Sequence, residues 1–240
     1  HTSVWSKISI QARASKVMAN ILVISGPQGT GNHVFSKVLS MHSNVHGWDQ
    51  LLREYWINHD NAPFKDIWNT PENIDNYDWT EHENYVLSVS GPYVDKDKDG
   101  VRHTKYPDYK EVLRRLNEKG NLQVGIIGRD QNITAQNQLR KRGVESLHNY
   151  LNKIEDIMEY RHTFLSVELL YMFRHQYVKS LDSVLDIPVD YTNQRLHYIL
   201  NKDPNAKYVH YVENSWLDRR RNDIGHMVDG SKPHVEKDTQ

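Results

Sequence analysis

The stretch Ala-Asn-Ile-Leu-Val-Ile-Ser, Ala19 to Ser25, runs directly into Gly26-Pro27-Gln28-Gly29-Thr30-Gly31. A short, apolar, β-branched run of this kind predicts a strand buried on both faces. From Asn32 to Met41 the periodicity changes, with Val34, Phe35, Val38 and Leu39 at helical spacing, and predicts an amphipathic helix. Strand, glycine turn and helix in immediate succession form the opening unit of an α/β fold.

The rest of the chain repeats the alternation. Tyr85 to Ser90 predicts a second strand closed by Gly91-Pro92, and Leu122 to Gly128 a third. The third follows a helix over Asp108 to Lys119, for which Gly120 reads as the C-terminal cap. Helical patterns over Thr134 to Arg142 and Val144 to Glu159 lead to a strand at Thr163 to Val167 and a further helix from Glu168 to Val184. Strands and helices in this order predict right-handed crossovers and a three-layer α/β fold of the P-loop type with a mainly parallel central sheet. A chain of 240 residues with 6 Trp, 14 Tyr and 4 Phe has the apolar mass for one such domain, expected over residues 18–240. Residues 1–17 are expected to be a leader, tag or upstream segment, with Met18 as the true start, and the tail after Gly225 to be loosely ordered. The segment Val94 to Pro107 predicts a charged, solvated loop. Its Asp95, Asp97 and Asp99 have calcium-loop spacing, but Tyr106 occupies the twelfth place where a glutamate is needed.

Composition narrows the function. Thirty basic against 31 acidic residues leave a net charge of -1, so no overall field favours nucleic acid or an anionic membrane. The chain has no Cys, which removes disulfides, thiolate nucleophiles and thiolate zinc sites. Its longest apolar stretch falls far short of the ~18 residues that span a bilayer, and no apolar signal-peptide core precedes it, so a soluble, cytoplasmic protein is expected. Fourteen His include no H-E-x-x-H pair, although His42 and His46 stand four apart; no metal site is expected. No G-x-S-x-G elbow supports a hydrolase triad. An anionic ligand therefore has to be held by a local site.

The loop Gly26 to Gly31 supplies one. It has the G-x-x-x-x-G spacing of a phosphate-binding loop, with Asn32 and His33 where Lys and Ser/Thr usually follow. Glycines let backbone N–H groups approach an oxyanion, and the helix N-terminus adds about half a positive charge. Without the Lys and the magnesium-binding hydroxyl the loop suits phosphate binding better than nucleoside triphosphate hydrolysis.

Gly-Pro-Gln-x-Thr-Gly after an apolar strand, with Met41-His42-Ser43 closing the helix, resembles the 5′-phosphosulfate loop of sulfotransferases that use 3′-phosphoadenosine 5′-phosphosulfate (PAPS), especially the heparan-sulfate N-sulfotransferase type. Gly29 stands where that family carries a Lys that contacts the bridging oxygen of the leaving group; His33 and Arg53 are the candidates to replace its charge. A second block, Val124 to Asp130 with Asn137 eight residues after Arg129, resembles the family's 3′-phosphate motif, with Gln131 and Asn137 in place of Pro and Ser. An Arg at a strand end can fork onto a phosphate, and an Asn amide can donate a further bond. Leu51 to Trp56 is similar to the segment that carries the family's catalytic base, which maps onto Glu54. Phe164 to Leu170 and Leu181 to Pro188 resemble its strand-Glu-Leu segment and later turn, and Arg219-Arg220-Arg221 vaguely its C-terminal nucleotide loop.

The resemblance implies in-line transfer of a sulfuryl group from PAPS to a hydroxyl or amine, on a small molecule or a carbohydrate, without a metal. Gly26, Pro27, Gln28, Gly29, Thr30, Gly31, Asn32 and His33 would hold the 5′ end, Arg129 and Asn137 the 3′-phosphate, and Glu54 would act as base with His33 as substitute cation. The acceptor would lie near Trp48, Tyr55, Trp56 and Ser88 to Tyr93. A small-molecule or nucleotide kinase with an aberrant loop, and a catalytically silent binding or interaction protein of the same fold, are the alternatives.

Overall fold

The structure, a computed structural model, describes residues 18–52, 62–96, 98–142 and 145–201. Five parallel strands form the central sheet in the order β2-β3-β1-β6-β7: β1 (Ala19–Pro27), β2 (Val45–His46), β3 (Asn84–Gly91), β6 (Gly120–Gly128) and β7 (His162–Ser166). The opening run is the middle strand. Ile21 stands opposite Tyr85 on one side and Leu122 on the other, and Ile21 to Ile24 are apolar at every position because both faces of the sheet are covered.

Alternate residues of β1 feed two separate cores. Leu22 and Ile24 pack with α1 (Asn32–Leu39), α7 (Val167–Leu181) and α8 (Gln194–Leu200), through Phe35, Val38, Leu170, Val178 and Leu196. Ile21 and Val23 pack on the other face with α3 (Tyr109–Lys119), α5 (Leu147–Leu151) and α6 (Ile154–Met158), and with short 3-10 turns at Lys65–Trp68 and Pro71–Asn76. All four strand residues are 0–1% exposed. Each such burial contributes roughly 1.5–3 kcal/mol, so a single polar substitution in β1 damages a core on one face. The result is a helix–sheet–helix, three-layer α/β fold.

Several elements depart from expectation. Gly120 is the C-cap of α3, as expected, its N–H donating to the Leu116 carbonyl, but its φ of -165° is extended rather than left-handed and it begins β6 directly. A Cβ there would lie 2.3 Å from the Ala19 carbonyl oxygen, so close strand approach accounts for the glycine. Val94 to Pro107 holds an antiparallel hairpin of β4 (Tyr93–Lys96) and β5 (Arg102–Lys105). Within it, the Asp95 carboxylate pairs with Lys105 Nζ at 2.8 Å and accepts from Asn69 Nδ2 at 3.0 Å. The helix expected over Val144 to Glu159 is two short ones, α5 and α6, stopped around Asn152 and Lys153 so that Tyr150 and Ile157 both reach the core. Helix α7 is interrupted at Arg174, whose φ is 47°. Strand β2, helix α2 (Trp48–Leu52) and α8 were not anticipated. Among the described residues no helix is long and apolar enough to cross a membrane.

Candidate functional site

The chain leaves β1 towards one face of the sheet, through α1, and leaves β6 towards the other, through α4 (Gln131–Arg142), α5 and α6. Adjacent parallel strands whose connections diverge in this way open a crevice at their C-terminal ends. The glycine loop leaves β1 at this end of the sheet, and Arg129 follows β6 beside it.

Pro27 to Thr30 form a tight turn in which Thr30 N donates to the Pro27 carbonyl at 3.3 Å and Thr30 Oγ1 to the same oxygen at 2.7 Å. Gly29 and Gly31 have φ of +85° and +99°, values that L side chains rarely adopt. Left-handed residues alternating with right-handed ones turn successive N–H groups to one side and make an anion-binding concavity. Gly31 precedes α1 without a side-chain cap, and the backbone N–H groups of Gly29, Gly31 and Asn32 have no hydrogen bond among the described residues. The Asn32 amide takes a structural role: its Nδ2 donates to the carbonyls of Gly26 and Pro27, both at 3.2 Å, and to Ser90 Oγ at 2.9 Å. It thus joins the ends of β1 and β3 beneath the loop.

The two sequence blocks meet. Arg129 Nη1 donates to the Gly29 carbonyl at 2.8 Å, across 100 residues of sequence. A Cβ on Gly29 would lie 3.9 Å from Asn137 Cβ, so Asn137 stands against the loop crest. Asn137 is 4% exposed and its Nδ2, a donor, has no partner. Buried polar groups without partners are costly, and an unpaired donor beside the loop is one that a bound anion would satisfy. Gln28 Oε1, Asn32 Oδ1 and Thr134 Oγ1 are also buried and unpartnered, so a ligand with donor groups of its own would satisfy more of the site. Asp130 caps α4, accepting from Ile133 N at 2.9 Å, and Glu168 Oε1 accepts from Asp130 N at 3.0 Å.

Two residues carrying this arrangement escaped the sequence reading. Gln138, fully buried, donates from Nε2 to the Gln28 carbonyl at 2.9 Å, and nothing in its sequence context marks it. Glu168 lies in the strand-Glu-Leu segment, the one signal that pointed to it.

On the α1 side, His33 packs edge-on against Trp48 with ring centroids 5.3 Å apart, and Lys37 Nζ lies 4.3 Å from the centroid of the same indole. Burial pushes the Lys37 ammonium down to about 8. His33 is thereby turned towards α2, whereas the guanidinium of Arg129 lies on the loop itself. Arg53, Glu54, Tyr55, Trp56 and Arg219 to Arg221 lie outside the described residues. A cavity of about 280 Å³ at the β2 edge is lined by other residues, including Phe64, Tyr77, Tyr85 and the stacked pair His46 and His82. Among the described residues no group of three or more His, Asp or Glu side chains is disposed to hold a metal ion.

No protein-family model matches the chain, and no curated protein is similar to it. Among solved structures it is similar to an uncharacterized protein from Eubacterium ventriosum, 14% identical with a TM-score of 0.33 over 68% of this chain and 98% of that one.

Proposed function

We propose that this chain binds a PAPS-type nucleotide at the glycine loop and transfers its sulfuryl group to a hydroxyl or amine. The observation that carries the reading is Asn137 Nδ2, a buried donor without an acceptor, set against a loop of open N–H groups with Arg129 beside it. An acceptor oxygen or nitrogen attacks sulfur in line. The bond from sulfur to the bridging oxygen breaks, and that oxygen stays on the 5′-phosphate, its charge met by the N–H groups of Gly29, Gly31 and Asn32. Asn137 and Arg129 serve the nucleotide's phosphates, and by resemblance Glu54 takes the acceptor's proton. Trp48 and Ser90 border the place for the acceptor.

A second reading, a nucleotide-binding protein that does not transfer, is favoured by Gly29, which brings a left-handed backbone and no charge to the position of the family's Lys. A kinase is disfavoured because Asn32 is committed to loop carbonyls where a phosphate-spanning Lys would be needed. Radiolabelled PAPS offered with a panel of sugar, phenol and amine acceptors separates them. Transfer above the uncatalysed rate is expected, and tight nucleotide binding without transfer to any acceptor would establish the silent reading.

A further inference from the structure

We infer that Gln138 is a positioning residue that holds the glycine loop in its anion-binding form and ties it to the N-terminus of α5. The inference rests on the reading above for its ligand, but its geometry is independent of the reaction. Gln138 is 0% exposed and uses both ends of its amide. Nε2 donates to the Gln28 carbonyl at 2.9 Å, while Oε1 accepts from Ser146 N at 2.7 Å and Leu147 N at 3.1 Å.

The bond to Gln28 fixes the plane of the peptide between Gln28 and Gly29. In a trans peptide the N–H points opposite the C=O, so holding the Gln28 carbonyl towards α4 turns the Gly29 N–H away from α4. Arg129 holds the Gly29 carbonyl, and the N–H of that next peptide, on Thr30, closes the turn on the Pro27 carbonyl at 3.3 Å, so both peptides flanking Gly29 are pinned while the Gly29 N–H is left for an oxyanion. The far end of the Gln138 amide satisfies the N–H groups of the N-cap and the first residue of α5, and α5 in turn delivers Tyr150, whose Oη lies 3.5 Å from Ser25 Oγ at the root of the loop. Loop, α4 and α5 thus form one connected unit, with Gln138 as the junction.

The test separates the two ends of the amide. Gln138→Glu keeps acceptors for Ser146 N and Leu147 N but has no hydrogen for the Gln28 carbonyl when ionised. Gln138→Met removes both functions without adding charge. The full chain is titrated calorimetrically with adenosine 3′,5′-bisphosphate, and the Gly29 amide resonance is followed by NMR in the free protein. The expected result is at least a tenfold loss of affinity in both variants and a displaced Gly29 resonance. The melting temperature of Gln138→Glu should fall by less than that of Gln138→Met. Lowering the pH should restore Gln138→Glu relative to the parent at the same pH, because a protonated carboxyl again presents an O–H to Gln28. Binding within twofold of the parent in either variant, or an unmoved Gly29 resonance in Gln138→Glu, would overturn the inference. A parent that binds no bisphosphate refutes the proposed function instead, and the Gly29 resonance alone then decides the role of Gln138.

Discussion

Substituting Gly29 by Lys brings the loop to the sequence it resembles, and the backbone sets what that costs. Gly29 has φ +85° in a turn closed by the Thr30 to Pro27 bond. Space is not the obstacle, since the nearest heavy atom to a new Cβ is Asn137 Cβ at 3.9 Å. The penalty is therefore conformational, roughly 1–2 kcal/mol for an L residue in left-handed geometry. It is partly offset by the ~0.4–1 kcal/mol gained when the unfolded chain loses a glycine's freedom. A net loss of about 1 kcal/mol corresponds to a melting temperature lower by roughly 2–4 °C in a chain of this size. Gly29→Ala should match Gly29→Lys, and Gly29→Asn should fall closer to the parent, because Asn tolerates the left-handed region. Gly31→Ala should lose most: its φ is +99° and its Cβ would also meet Val167 Cγ2 at 3.3 Å. Thermal unfolding of the four variants by circular dichroism gives the order directly. A Gly29→Lys protein as stable as the parent would refute the reasoning, showing that the loop readily adopts a different backbone.

Arg129→Ala should weaken adenosine 3′,5′-bisphosphate binding by one to two decades, the equivalent of roughly 1.5–3 kcal/mol for a charge-assisted contact, and weaken adenosine 5′-monophosphate less. Equal losses for the two ligands in titration calorimetry would show that the guanidinium serves only the loop. Lys37→Met should stabilise the protein at pH 7. Burial lowers the Lys37 ammonium from 10.5 to about 8, so keeping it charged at pH 7 costs stability. Between pH 8 and 10.5 the unfolded chain holds the proton that the folded one has released, so the parent gains stability there as pH rises and the difference narrows. A Met variant that melts below the parent at pH 7 would contradict this.

Much of the fold is written in residue order because local pattern and tertiary position agree. The run Ile21 to Ile24 is apolar at every position since both faces of β1 are covered, and Asp108 caps α3 by accepting from Glu111 N at 3.1 Å. The misreadings have tertiary causes. Gly120 does cap α3, but what demands a glycine there is the Ala19 carbonyl across the strand pair, a contact between residues 101 positions apart that local pattern cannot show. Val45 and His46 form a strand of two residues, too short for any periodicity, which exists because the start of β3 offers partners. In the site, the loop Gly26 to His33 and Arg129 were legible from glycine spacing and the strand-end Arg, and Asn137 only through the resemblance of its spacing to a family motif. Gln138 was not, because its importance lies in the Gln28 carbonyl and the α5 N–H groups that folding brings to it.

The central claim is that the glycine loop and the Arg129–Asn137 segment together hold a nucleotide with phosphates at both its 5′ and 3′ positions. Isothermal titration of the full chain with adenosine 3′,5′-bisphosphate, against ATP with magnesium, tests it most directly. The account predicts saturable binding of the bisphosphate that is unchanged by a chelator and at least tenfold tighter than that of ATP. Tighter binding of ATP that depends on magnesium, or heat from neither ligand, would contradict it.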